Sequence, residues 1–215
     1  MKAIRPYTQI FGEIDGQEIL RKIETIGRTC YKSEDKIQEG SAERFVKNLI
    51  ARGHEAMLEH ESITVKFVVD RGISHELVRH RLASFAQEST RYCNYSKDDF
   101  GNEITFIIPD YLTYKSDGWK IWIETMKACE DAYFKMLDFG LMPQEARSVL
   151  PNSLKTELVM TANLREWRHF FKLRAANETG KAHPQMLEVT RPLLDDLKGM
   201  IPVVFDDITY ERVGE

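Results

Sequence analysis

Cysteine is scarce in this sequence, and its spacing excludes the usual cysteine-based sites. The 215 residues contain three cysteines, Cys30, Cys93 and Cys129, and none of them forms a CxxC pair. An odd number without paired spacing argues against a disulfide framework and favours a reducing compartment. Cys93 is followed by polar residues that supply no general base, so we interpret it as a structural thiol rather than a nucleophile.

Long apolar segments are also missing. No run of the sequence approaches the length of about 18 apolar residues that a membrane-spanning helix needs. The N-terminal residues 1–10 carry early charges and lack the apolar core of a signal peptide. Together with the cysteine pattern, these absences predict a cytoplasmic protein without a membrane partner.

Several nucleotide, hydrolase and metal motifs do not occur. There is no P-loop, no GxGxxG after a strand and no GxSxG, which argues against Walker-type and Rossmann nucleotide binding and against a serine hydrolase. His54 and His60 lie six positions apart, whereas two zinc ligands on one helix face need a spacing of four. No metal site is predicted.

Charge is balanced overall and concentrated locally. The net charge is −4, which argues against a surface built to coat nucleic acid. Residues 71–91 nevertheless contain four arginines against two glutamates, and residues 165–174 contain four basic residues against one glutamate. Two positive segments in an acidic chain indicate a site for a small anion rather than a long polyanion.

The first positive segment contains the most informative pattern in the chain. Within fourteen positions it places three arginines, one histidine and two serines: Arg79, His80, Arg81, Ser84, Ser89 and Arg91. Guanidinium groups stay charged and bind phosphate or carboxylate through paired hydrogen bonds, so a cluster of them favours an anion ligand. The alternative from charge alone is a solvated basic face.

Hydrophobic periodicity predicts a mixed fold. Strands are predicted around residues 3–14, 62–70, 103–109 and 154–162, and a polar turn at 97–102. Helices are predicted at 17–29, 41–53, 73–84, 119–139, 143–150, 164–176 and 184–200. Arg79 and Arg81 would then lie about 200° apart near the end of one helix, where each could bind a different anion.

The pattern of the first positive segment resembles the signature of flavin-dependent thymidylate synthases. The matching residues are Arg79, His80, Arg81, Ser84, Ser89, Arg91 and Tyr92. Other segments resemble the family's motifs in the same order, namely Gly53-His54-Glu55 with Glu59-His60, Ala146-Arg147 before Leu150-Pro151, Asn163 with Arg165, and Phe170 to Arg174. The resemblance covers roughly residues 25 to 190.

This resemblance implies a fold and an activity. The expected fold class is α+β, a central and mainly antiparallel sheet with flanking helices, in a single domain over residues 1–215. The expected reaction is methylation of deoxyuridylate (dUMP) to thymidylate (dTMP). Methylenetetrahydrofolate would supply the carbon, and FAD reduced by NADPH would supply the hydride. A homotetramer with active sites at the subunit interfaces is also implied.

The resemblance assigns roles to individual residues. Arg174 and Ser89 are the implied catalytic residues, Arg174 as the cation that favours ionised uracil. The implied flavin-binding residues are His54, Ala56, Arg79, His80, Arg81, Gln87, Asn163, Arg165 and His169. The implied substrate-binding residues are Glu76, Arg79, Gln87, Glu88, Ser89, Thr90, Arg91, Arg147 and Arg174. The chain departs from the commonest family pattern at Glu76, Ala86, Gln87 and His169.

Two other functions stay open at this point. A non-catalytic nucleotide- or RNA-binding module would use the arginines on phosphates and Phe85, Tyr92 or Tyr95 for stacking. A flavoenzyme acting on another pyrimidine would carry the same motifs. The net charge of −4 argues against the first alternative.

Overall fold

The computed structural model describes residues 1–95 and 101–211. The strands are β1 (Lys2–Ile4), β2 (Tyr7–Phe11), β3 (Ser62–Asp70), β4 (Ala83–Gln87), β5 (Thr105–Ile107) and β6 (Lys155–Asn163). The α-helices are α1 (Gly16–Thr29), α2 (Ser41–Ala51), α3 (Arg71–Leu77), α4 (Asp117–Asp138), α5 (Pro143–Ala146), α6 (Leu164–Arg174) and α7 (Pro184–Met200). Short 3₁₀ helices occupy Glu34–Lys36, Glu55–His60 and Arg147–Val149. The predicted polar turn at 97–102 falls largely outside the described residues.

The α+β prediction is confirmed. A four-stranded sheet has the order β2-β3-β6-β4, and β1 pairs with β5 in a parallel two-stranded sheet. Strands β3 and β6 run antiparallel. Thr64 contacts Thr161 at 2.8 Å, whereas Lys66, later in β3, contacts Glu157, earlier in β6, at 3.3 Å. None of the described helices is long and apolar enough to cross a bilayer.

The chain forms two compact units that alternate along the sequence. Unit 1 comprises Met1–Thr8, Lys66–His80 and Phe85–Val159, and unit 2 comprises Gln9–Val65, Arg81–Ser84 and Met160–Glu215. No single boundary separates them in the sequence. The assignment of residues 1–215 to one domain of the resembled family stays a prediction.

The core of unit 1 forms around one face of α4, the helix predicted over residues 119–139. Met126 and Tyr133 are buried, and the Trp122 indole donates to Ser153 Oγ at 3.2 Å. The backbone N–H of Ile104 donates to Glu130 Oε1 at 2.7 Å, and the same carboxylate pairs with the N-terminal ammonium at 3.0 Å. These contacts fix α4 against β5 and the start of the chain.

The core of unit 2 is aromatic and centred on α6. Trp167, Phe170 and Phe171 are fully buried and pack with ring centroids 5.4–5.6 Å apart. The Trp167 indole N–H donates to the Ile63 carbonyl at 3.1 Å. The Asn163 side chain caps the helix by accepting from Glu166 N at 2.9 Å, which is a common way to begin a helix. Helix α6 is therefore held rigidly at its first turn.

The predicted helix over residues 73–84 is wrong in its second half. Helix α3 begins earlier, where Asp70 Oδ1 accepts from Ile73 N at 2.7 Å, and it ends at Leu77. Arg79 and Arg81 lie in the following turns rather than on a helix, and residues 83–87 form an edge strand beside β6. Leu82, an apolar residue within the predicted helix, is 77% exposed. The expected separation of the two arginines around a helix therefore does not apply.

Candidate active site

A cationic cavity lies in unit 1. Its volume is about 350 Å³, and its lining contains three basic side chains and no carboxylate among the described residues. The lining residues are Arg71, His75, Thr90, Arg147, Ser148, Leu150, Pro151, Asn152 and Leu154. Two of them, Thr90 and Arg147, belong to the predicted substrate site. Arg147 Nη1 donates to Thr90 Oγ1 at 3.1 Å, so the two side chains are held together.

Local structure fixes the basic residues of this cavity. Arg71 and His75 lie four positions apart on α3, so they share one helix face. The Arg71 N–H donates to the carbonyls of Asn152 and Leu154, at 2.9 and 3.1 Å, which ties the start of the helix to the segment before β6. Within residues 1–95 and 101–211, neither the Arg71 nor the Arg147 guanidinium forms an ion pair. Their charge is available to an anion.

The last residue of β4 and the segment after it contain five of the nine predicted substrate residues. Gln87 Nε2 donates to Ser74 Oγ at 2.9 Å and to Thr156 Oγ1 at 3.3 Å. Ser89 accepts at its carbonyl from the N–H groups of Tyr92 and Cys93, at 3.1 and 3.0 Å, which forms a tight turn. Ser89 Oγ accepts from Arg91 N at 3.3 Å. Arg91 is exposed, and its guanidinium lies 5.5 Å from the centre of the Tyr92 ring.

The carboxylate of Glu88 is held by several contacts with other residues of unit 1. It pairs with Lys155 Nζ at 3.0 Å and accepts from Tyr95 Oη and from Glu157 N, both at 3.2 Å. Burial and the Glu88 carboxylate raise the pKa of Tyr95, so this phenol stays protonated and donates. Burial and Glu88 also raise the pKa of the Cys93 thiol, which supports its interpretation as a structural residue.

Unit 2 contains a second cavity, lined by predicted flavin-binding residues. Its volume is about 330 Å³, and Arg81 and Asn163 line it together with Ser62, Ser84 and Thr161, which supply hydroxyl groups. Glu59 also lines it and pairs with Arg165 Nη1 at 2.5 Å. Three of the predicted flavin residues, Arg81, Asn163 and Arg165, thus lie at this cavity or in contact with its wall.

One member of the second positive segment is structural. Arg168 is fully buried, and its guanidinium forms two hydrogen bonds with Asp207, at 2.6 and 2.7 Å. It also pairs with Glu55 at 3.0 Å and donates to the Val204 carbonyl. Burial opposes the charge of Arg168, but Asp207 and Glu55 outweigh that effect and raise its pKa. The positive count of residues 165–174 therefore overstates the charge that is free to bind a ligand.

The remaining predicted residues are distributed over both units. In unit 1, Arg79 is exposed, Glu76 is half-buried on α3 and His80 is buried. In unit 2, His54, Ala56 and His169 are exposed, while Arg174 is half-buried and its carbonyl accepts from Thr190 Oγ1 at 2.6 Å. The assignment of these residues to the substrate and flavin sites stays a prediction.

Sequence reasoning missed Arg71, His75, Ser148 and Asn152 at the cationic cavity. The spacing of Arg71 and His75 is a signal that could have identified two of them, but only once the helix was known to begin at Arg71 rather than Ile73. In the described part of the chain, no group of three or more histidine, cysteine, aspartate or glutamate residues has the arrangement of a metal site.

Comparison with known proteins gives the same family at the level of sequence. The family model described as "Thymidylate synthase complementing protein" matches residues 15–203. A flavin-dependent thymidylate synthase of Geobacter sulfurreducens is 33% identical over 187 residues, which cover 84% of this chain and 78% of that protein. One of Corynebacterium efficiens is 30% identical over 222 residues, covering 98% and 88%.

A solved structure shares the fold. The UMP/dUMP methylase PolB from Streptomyces cacaoi, bound with 5-Br dUMP, superposes with a TM-score of 0.77 over 96% of both chains at 22% identity. At that identity the similarity establishes the fold alone. The family model and the curated relatives cover most of the chain, and on that basis the protein belongs to the thymidylate synthase complementing protein family, whose members compared here are flavin-dependent thymidylate synthases.

Proposed function

We propose that this protein is a flavin-dependent thymidylate synthase that converts dUMP to dTMP, with methylenetetrahydrofolate as the carbon donor and NADPH as the reductant. The observation that carries the proposal is the cationic cavity of unit 1, where Arg71, His75 and Arg147 converge without a carboxylate. Such a cavity suits the phosphate of a nucleotide. The curated relatives act as thymidylate synthases, which makes dUMP the nucleotide of choice.

The substrate site would use the residues of the turn after β4. Ser89 and Arg91 would hold the phosphate, and Arg147 with Thr90 would form the adjacent wall of the cavity. Arg174 would stabilise negative charge on the uracil ring, a role in which a fixed cation lowers the barrier to reaction at C5. Arg79, Glu76, Gln87 and Glu88 complete the proposed substrate set.

The residues of unit 2 fit a flavin nucleotide. Its cavity offers Arg81, hydroxyl groups and the Asn163 amide, which are the donors that a pyrophosphate and an isoalloxazine edge require. The other members of the proposed flavin set are His54, Ala56, Arg165 and His169 in unit 2, and Arg79, His80 and Gln87 in unit 1. When bound, FAD supplies the hydride. Because the hydride comes from the flavin, the proposed reaction needs no cysteine nucleophile.

A homotetramer explains why so many site residues are exposed in one chain. Arg79, Arg81 and Arg91 are open to solvent, and Leu82 and Tyr92 are 77% and 79% exposed. Large apolar side chains beside a site indicate a surface that another chain covers. We expect sedimentation to give a particle of about 100 kDa, four times the chain mass of 25.0 kDa. A 25 kDa particle that is fully active would contradict this part of the proposal.

The reaction is tested by tritium release from C5-labelled dUMP, assayed with methylenetetrahydrofolate and NADPH and with each omitted. Release and dTMP formation that depend on both are expected. Labelled UMP belongs in the same assay, because the structural neighbour from Streptomyces cacaoi is a UMP/dUMP methylase. Preference for UMP would replace the proposed substrate with another pyrimidine nucleotide.

The role of Arg174 is tested by Arg174→Ala. This variant is expected to retain flavin, since the residue is assigned to the uracil, and to lose about 100-fold or more in kcat. Flavin absorbance of the purified variant is the control. Unchanged turnover of Arg174→Ala would refute the role of Arg174. A separate observation on the wild type tests the alternative function: a colourless protein that does not turn yellow when FAD is added would favour a non-catalytic nucleotide or RNA binder. We place the reaction in the cytoplasm, in keeping with the absence of a disulfide framework.

A further inference from the structure

The residues on either side of the Ser89–Arg91 turn contact each other, and the assigned substrate roles do not explain this contact. Glu88 precedes the turn and Tyr95 follows it, and the phenol of Tyr95 donates to Glu88 Oε1 at 3.2 Å. The two ends of the segment are thereby joined. Tyr95 is itself anchored in the core of unit 1, where its ring packs edge-on against Tyr133 at a centroid distance of 5.7 Å.

Glu88 is also fixed to β6 from the opposite side. Its Oε2 pairs with Lys155 Nζ at 3.0 Å and accepts from Glu157 N at 3.2 Å, while its own N–H donates to the Glu157 carbonyl at 2.8 Å. Side-chain exposures of 13% for Glu88 and 19% for Lys155 show that the pair is mostly buried, beside a small cavity of about 50 Å³ that both residues and Tyr95 line. Lys155 also pairs with Glu157 at 3.0 Å, and Glu157 with Lys66 at 3.3 Å, so the network is neutral as a whole.

The carboxylate of Glu88 therefore has three donors inside unit 1. A carboxylate with that many partners has little capacity left for a ligand, and a negative charge beside a phosphate would repel it. Its geometry suits a different task. Ordering a loop before binding removes the entropy cost of ordering it during binding, which raises affinity without a new ligand contact.

We propose that Glu88 is a positioning residue, which acts with Lys155 and Tyr95 to hold the Ser89–Arg91 turn in the conformation that binds the phosphate of the substrate. This inference rests on the proposed function, because the turn is assigned to the substrate phosphate there. It replaces a direct substrate contact by Glu88 with an indirect one. It also predicts that Lys155 and Tyr95, which no motif singled out for this task, share the role.

Three variants of the holoenzyme test the proposal, each removing a contact of Glu88, although Lys155→Met also removes the pair between Lys155 and Glu157. Glu88→Gln removes the charge opposite Lys155, Lys155→Met removes the ammonium, and Tyr95→Phe removes only the hydroxyl that donates to Glu88. Each is expected to raise the KM for dUMP by about tenfold, because such a change corresponds to the loss of one charge-assisted hydrogen bond. The kcat at saturating dUMP and the Kd for FAD should change less than about twofold.

The control is Lys66→Met, which breaks a contact of Glu157 in the same network and leaves every Glu88 contact in place. Its KM should match the wild type. The double variant Glu88→Gln/Lys155→Met should resemble the single variants, because both remove the same pair. If Glu88 contacted the substrate directly, Glu88→Gln would raise KM while Lys155→Met and Tyr95→Phe would not, and that outcome overturns the proposal. Equal KM values in all variants overturn it as well.

Amide hydrogen exchange separates this inference from the proposed function. Without any nucleotide, the N–H groups of Tyr92 and Cys93, which bond to Ser89, should exchange about tenfold faster in Glu88→Gln and Tyr95→Phe than in the wild type. Exchange rates equal to those of the wild type would refute the positioning role of Glu88, whatever reaction the protein catalyses. Suppose instead that exchange is faster in these variants but the wild-type protein neither binds nor methylates dUMP. That result would support the positioning role of Glu88 and refute the proposed function.

Discussion

The two units of the chain use arginine in opposite ways. In unit 1, Arg71 and Arg147 line a cavity without forming an ion pair in the described structure, and the Arg147 guanidinium donates to the hydroxyl of Thr90. In unit 2, Arg168 is buried between Glu55 and Asp207, and Arg165 pairs with Glu59. The first arrangement leaves charge for a ligand, whereas the second neutralises it.

The difference shows that local charge counts do not identify an anion site. Residues 165–174 are more positive than residues 71–91, with net charges of +3 and +2. The carboxylates that pair with Arg165 and Arg168 come from Glu59, Glu55 and Asp207, which lie far from the later segment in sequence. A site for an anion is recognised by the absence of such partners, and only the fold provides that information.

The largest expected effect concerns the buried arginine. Arg168→Ala removes the partner of Glu55 and Asp207, leaves Glu55 half-buried without it, and should cost about 3–5 kcal/mol of unfolding free energy. Chemical denaturation of the holoenzyme measures this loss. Arg21→Ala serves as the control, since it breaks only an exposed pair with Glu18 at 2.9 Å and should cost less than about 1 kcal/mol. Equal effects of the two substitutions would contradict the structural role of Arg168.

Arg147→Ala is the counterpart in the cationic cavity. It should leave the unfolding free energy within about 0.5 kcal/mol of the wild type, because the guanidinium has no carboxylate partner in the described residues. The KM for dUMP should rise by about 30-fold, equivalent to about 2 kcal/mol for a charged hydrogen bond. Steady-state kinetics at several dUMP concentrations measure it. A stability loss like that of Arg168→Ala, with unchanged KM, would reverse the comparison.

Regular elements with a clear period were predictable from the sequence. Strands β3 and β6 and helix α4 follow from the hydrophobic periodicity, and the structure confirms them. The segment around Arg79 was not predictable in this way. Its apolar residues continue a helical period through Leu82, but pairing of residues 83–87 beside β6 overrides that local pattern.

The candidate site was predictable only in part. The motif identified Thr90 and Arg147, which do share a cavity, and Arg81 and Asn163, which share another. It gave no means of separating Arg168 from its neighbours Arg165 and His169, because burial and ion pairing depend on Glu55 and Asp207. The same applies to Glu88, whose partners Lys155 and Tyr95 meet it only in the folded unit.

A pH effect of intermediate size is expected from Asp207. The Arg168 guanidinium donates to this carboxylate and holds its pKa below the usual value. Because the folded-state pKa is the lower one, the stabilisation is fully present above the unfolded value of about 3.9. It is lost as the pH falls through the folded value.

Asp207→Asn measures that contribution. Since the side chain is 47% exposed, solvent screening limits the expected loss at pH 7 to about 1 kcal/mol. The difference between variant and wild type should shrink below about pH 4 and vanish once both are uncharged at this position. Denaturation curves at pH 7, 5 and 3 follow it. A difference that grows toward acid pH would contradict the assigned direction of the pKa shift.

The smallest expected effect tests whether the cavity acts through its charge as a whole or through Arg147 alone. Arg71 lines the same cavity, where its backbone N–H donates to two carbonyls, and among residues 1–95 and 101–211 its guanidinium has no side-chain partner, so it would attract the phosphate without being fixed in place. Arg71→Ala should raise the KM for dUMP by about fivefold, equivalent to about 1 kcal/mol. The increase should weaken as the salt concentration rises, because the interaction is screened.

The matched control is Arg44→Ala, which removes an exposed arginine on α2 and should not change the KM for dUMP. An Arg71→Ala effect that is independent of salt would mean a direct, desolvated contact, and its absence would leave Arg147 as the cavity's sole effective cation.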